Sequence, residues 1–138
     1  RFHYLLEKAC QKSNGKVILV GFYQGTKLWN KTTAPKVTID KDGYLKELEE
    51  TEKLPHRPDA FFALHFPDRE GEKTDYYFYE ADRKTTNVTK HNKKLRSHFY
   101  YIVKHKQHLD DYGVKRIKAV VIKSLSAIGS KIVPNEEL

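Results

Sequence analysis

The sequence predicts a single α/β domain on a mixed sheet, in the order helix, strand, strand, strand, helix, strand. Two very aromatic runs, 59–66 and 75–82, are joined by the polar turn formers of "PDREGEKT", as in an antiparallel hairpin. A long helical pattern over 87–110 then separates them from the β-branched run "VKRIKAVVIKS". Such a crossover helix makes the last strand lie parallel to an earlier one. The length, 138 residues, supports one core and no second domain.

The elements follow in order. "FHYLLEKACQKSNG" places Phe2, Leu5, Leu6 and Ala9 on one helical face and stops at Asn14-Gly15. "KVILVGFY" is short, β-branched and almost wholly apolar, so a strand covered on both faces is expected. Residues 24–35 are mostly polar and read as loop, and "KVTID" followed by Asp42-Gly43 reads as a more exposed strand and a turn. In "LPHRP" two prolines exclude a continuing helix or a central strand. In the second aromatic run, Phe78, Glu80 and Asp82 share one face and Tyr77, Tyr79 and Ala81 the other. Along 87–110 the apolar stripe is Val88, Leu95, Phe99, Ile102 and Leu109, with Lys90, Lys94, Ser97, Tyr101 and Lys104 opposite. Thr86 or Asn87 suits its N-cap, and Gly113 follows its end. Residues 125–138 are poorly specified: a short segment, then an acidic tail.

Lys and Arg outnumber Asp and Glu by 26 to 18, which makes a polyanion or an acidic surface the default partner. The lone Cys10 excludes an internal disulfide and suits a reducing, cytoplasmic setting. No apolar run reaches the roughly 20 residues of a membrane span, so no membrane partner is expected.

A turn over 67–74 would set Asp59 opposite Asp82 with Glu80 one pair further in, gathering three carboxylates at the hairpin mouth. Such a cluster repels itself unless a cation sits within it. A hard Mg²⁺ or Mn²⁺ ion is the cofactor that Asp59, Glu80 and Asp82 would bind, and bound there it would polarise a phosphate and activate a water. Lys84 or Lys94, with Lys93 beside it, would orient that water. The plainer alternative is a set of exposed ion pairs with Arg83, Arg57 and the helix lysines. The cationic residues Arg83, Lys90, Lys93, Lys94, Arg96, Lys104 and Arg116 are the candidate DNA contacts, and Tyr100 and Tyr101 are candidates to stack on bases. His91, His98 and His105 recur at heptad spacing, about 10.5 Å apart along a helix, too far to share one ion. They read as ordinary histidines.

Pro58, Asp59, Phe62, Leu64, Glu80, Asp82, Arg83, Thr85, Lys94, Leu95, Arg96, Tyr112, Gly113, Val114 and Arg116 form a pattern over 58–123 that resembles the replication-relaxation family of plasmid and mobile-element proteins. The resemblance implies a DNA-binding role in replication or relaxation and transfer, with relaxase or replication proteins as partners. It also implies a DNA-binding segment ahead of residue 1, so the chain reads as a fragment. The same stretch resembles the PD-(D/E)xK nucleases, which implies a restriction-endonuclease-like core with Asp59 and Glu80 as metal ligands. Asp82 stands where those nucleases carry lysine, so the resemblance favours a degenerate nuclease-like core that binds DNA over an active endonuclease. In a nuclease arrangement Glu7 would add a fourth carboxylate. A third reading is a protein-interaction module. A relaxase with a tyrosine nucleophile needs a histidine cluster, and no His-x-His triplet is present.

Overall fold

A computed structural model describes residues 1–33, 37–39, 41–47, 54–82, 88–124 and 130–137. Helix α1 (Phe2–Lys12) ends as expected, with Asn14 at φ +56° and Gly15 at φ +83° turning the chain into β1 (Ile18–Gln24). The expected loop carries a 3₁₀ turn at Thr26–Leu28 and β2 (Lys31–Thr33). Leu28 anchors it in the core at 2% exposure. The turn at Asp42-Gly43 joins β3 (Val37–Ile39) to β4 (Leu45–Glu47), and Gly43 holds the left-handed φ of +84° that the turn requires. β5 (Leu54–His56) runs into the prolines and pairs only with β2 among the described residues.

β6 (Ala60–His65) and β7 (Thr74–Asp82) form the expected antiparallel hairpin, and β8 (Ala119–Ser124) lies parallel to β7. The closing segment that the sequence left open is β9 (Ser130–Pro134), antiparallel to β8. The main sheet is therefore mixed and five-stranded, in the order β1-β6-β7-β8-β9. Strand alternation sorts its two faces. Ala60, Phe62 and Tyr79 meet Phe2 and Leu6 of α1, and Phe2 stacks on Tyr79 at 3.9 Å between centroids. Phe61, Phe78, Val120 and Ile122 face the opposite layer.

Two expectations change. β1 is an edge strand covered on one face only: Val20 is 55% exposed, and Ile18 and Tyr23 are also exposed. An apolar run alone cannot tell an edge from a centre. The single helix over 87–110 is instead α2 (Val88–Phe99), a π-helical turn (Tyr100–Lys104) and α3 (Gln107–Tyr112). His105 N–H bonds Tyr100 O at 2.9 Å, the five-residue step of the wider turn, and Lys106 takes a left-handed φ of +47°. The buried stripe also differs from the expected one, already within α2. Ser97 and Tyr101, expected to face outward, are buried, and Leu109, expected inside, is 49% exposed. Gly113, at φ +67°, ends α3 as anticipated, whereas the N-cap candidates Thr86 and Asn87 lie outside the described residues.

Candidate functional site

The β6–β7 hairpin is closed by Phe66 N–H donating to Lys73 O at 2.7 Å, so its turn is 66–73 rather than 67–74. Ala60 consequently pairs with Tyr79, which carries Asp59 to the level of Glu80 and not opposite Asp82. Asp59 secures the end of the ladder. Its N–H donates to Tyr79 O at 2.9 Å, and its Oδ2 accepts from Ala81 N–H at 2.7 Å. It lines a depression on the α1 side together with Phe2, Glu7 and Tyr79.

Glu80 faces the other way, with Phe78, and is 6% exposed. Its neighbours there are His91, Lys94, Leu95 and His98 of α2. His98 Nε2 lies 3.0 Å from Glu80 Oε1, and His98 Nδ1 lies 2.9 Å from Nε2 of His56 on β5. Both histidines are almost fully buried, at 2% and 1% exposure. The result is a buried chain, Glu80–His98–His56, that ties β7, α2 and β5 together. With Glu80 ionised, His98 donates through Nε2 and accepts at Nδ1 from His56 Nε2–H. His56 Nδ1 is then a lone pair, and it is buried without a partner, as is Glu80 Oε2. Lys94 Nζ stands 3.8 Å from that oxygen. Burial first, then the neighbouring His98, pushes the His56 imidazole well below its ordinary pKa, so the ring is held neutral.

The remainder of the shell fixes the two rings. His56 stacks on Tyr101 at 3.8 Å and meets Phe78 edge-on. Tyr101 in turn donates its hydroxyl to Asp111, and Ser97 Oγ donates to Pro55 O at 2.9 Å. Burial and Asp111 raise the Tyr101 hydroxyl far above the usual phenol range. Being fully buried, Tyr101 has no face for a base, which corrects that expectation; Tyr100 is half-buried.

Comparisons with family models, curated proteins and solved structures return no match.

Asp59 and Glu80 thus have different hydrogen-bond partners and line different depressions. Among the described residues, no group of three or more His, Cys, Asp or Glu is placed to hold a metal ion. The side chain of Asp82, and Arg83 and Lys84 entirely, lie outside the described residues. Lys90, Lys93, Lys94 and Arg96 are exposed on α2. Lys104, also exposed, sits 5.8 Å over the Phe99 ring. Arg116 belongs to a different region: it precedes β8, 3.8 Å from Glu136. No helix among the described residues is long and apolar enough to cross a membrane.

The histidine chain is what sequence reasoning missed. His56 sits in "LPHRP", which excludes a continuing helix or central strand and says nothing more, and His98 falls in a heptad of histidines that read as ordinary, partly buried or surface residues. The available signal was Glu80, an acid placed by alternation on the same face as Phe78, which requires a buried donor opposite it.

Proposed function

We propose that this domain is a DNA-binding module of a plasmid or mobile element, acting in replication or in relaxation and transfer beside relaxase or replication proteins. Its nuclease-like core is degenerate and does not cut. The observation that carries this reading is the set of exposed basic side chains on α2, Lys90, Lys93, Lys94 and Arg96. Support for the nuclease-like ancestry comes from the order α1, β1, β6, β7, α2, β8, with three antiparallel strands and a fourth parallel to the third. The different engagements of Asp59 and Glu80 favour binding over Mg²⁺- or Mn²⁺-dependent cleavage.

Fluorescence anisotropy with a labelled 30-base-pair duplex, repeated over a range of KCl, tests the α2 surface. The variant K90Q/K93Q/R96Q leaves the Lys94–Glu80 contact in place. Every phosphate that the variant no longer neutralises should lower the salt slope by about 0.9, and binding should weaken about tenfold at low salt. Unchanged affinity and slope would remove α2 from the interface. Supercoiled plasmid incubated with Mn²⁺ should remain intact; nicking that disappears in Asp59→Ala would make the domain an endonuclease instead.

A further inference from the structure

The far end of the sheet carries a second concentration of positive charge. An open cleft of about 470 Å³ lies between the β6–β7 turn and the segment that leads from α3 into β8. Arg69 and Lys73 line it from one side, and Lys115, Arg116 and Lys118 from the other. Glu72 and Asp75 are the acids in its lining. Asp75 is already engaged: Arg69 Nη1 donates to its Oδ1 at 2.8 Å, and Tyr77 hydroxyl donates to Oδ2. That hydrogen bond from Arg69, with Lys118 further off, holds the Asp75 carboxyl below its usual range.

Arg69 is positioned in advance. Its guanidinium lies 4.0 Å over the Phe66 ring, and its own N–H closes a turn onto Phe66 O. A planar fork with five N–H donors, one of them committed to Asp75, keeps the others for an incoming oxygen. Lys118 N–H is tied to Tyr76 O at 2.8 Å, which fixes one wall against β7. Five cationic side chains against the two lining acids and Glu136, which stands 3.8 Å from Arg116, are arranged along two walls of an open trough and match a ligand with negative charges repeated along its length.

We propose that this cleft binds the phosphodiester backbone of a nucleic acid, as a contact surface separate from α2. β7 runs between the two regions, from Thr74 and Asp75 in the cleft to Glu80 beneath α2, about 20 Å at strand rise. The inference rests on the nucleic-acid reading but names a site that α2 does not share.

The test uses the full chain, its K73Q/K115Q/K118Q variant and the α2 variant, with the same duplex and KCl series. Thermal melting followed by circular dichroism confirms that the exposed cleft substitutions leave the fold intact. The cleft variant should bind about tenfold more weakly at 50 mM KCl, with a salt slope shallower by up to about 2.7. Wild-type affinity and slope in the cleft variant, with weakened binding by the α2 variant, would overturn the cleft and leave α2 standing. Absence of duplex binding by the wild-type chain would overturn both. Tripolyphosphate added at constant ionic strength should compete only weakly. Its tight binding to the wild-type chain but not to the cleft variant would reassign the cleft to small polyphosphates and overturn the phosphodiester assignment.

Discussion

His98 is the residue on which the buried polar chain depends, because it serves Glu80 through one nitrogen and His56 through the other. His98→Ala leaves Glu80 with only the 3.8 Å contact to Lys94 and takes the hydrogen bond from the buried His56 imidazole, and should cost about 3–5 kcal/mol in urea unfolding. His56→Phe keeps a ring against Tyr101 and removes the orphaned His56 Nδ1, but it takes the donor from buried His98 Nδ1, so its cost should be about 1–3 kcal/mol, below that of His98→Ala. The pH dependence has a definite sign. The folded His56 has a depressed pKa, so below about 6.5 the unfolded chain takes up a proton that the folded chain refuses. Stability should fall as pH drops from about 6.5, by up to about 1.4 kcal/mol per pH unit from this group, and His56→Phe should flatten that slope. Urea unfolding at pH 7.5, 6.5 and 5.5 measures it.

At the scale of elements, the bend after the π-helical turn is the feature with the clearest energetic signature. Lys106 adopts a left-handed backbone without a glycine's freedom, and its side chain makes no capping bond to α3. Lys106→Gly should raise stability by about 0.5–1 kcal/mol, net of the added entropy of the unfolded chain. A decrease would mean that the lysine side chain does more than fill the turn. The same stretch marks the limit of what the sequence discloses. Period-two alternation placed Phe78 and Tyr79 on opposite faces correctly, because the strand repeat is rigid. The helical repeat assumed 3.6 residues per turn throughout, whereas the wide turn and the left-handed Lys106 separate Leu109 from the stripe, and Tyr101 instead continues the buried line of Ser97 and His98. Hairpin pairing was legible from composition, but its register was not, because Pro67 through Thr74 holds several residues able to start or end the turn. That two-residue difference decides which acid stands beside Asp59.

Across the whole molecule, β6, β7 and β8 occupy the middle of the sheet, with α1 on one side and the α2 layer on the other. Amide hydrogen exchange should be slowest there and faster along β1, whose outer edge has no strand partner among the described residues. Equal protection of Val20 and Val120 would contradict that gradient, since Val20 is 55% exposed and Val120 fully buried.

The parallel pairing of β7 with β8 also orders events in time. The β6–β7 hairpin needs only its own short turn and can close in roughly 1–10 μs. Pairing of β8 with β7 closes the much longer segment that carries the intervening helices, and such long-range closure is the slow kind. Refolding speed should therefore be governed by that late docking, with the waiting hairpin exposing the flank of β7 until β8 arrives.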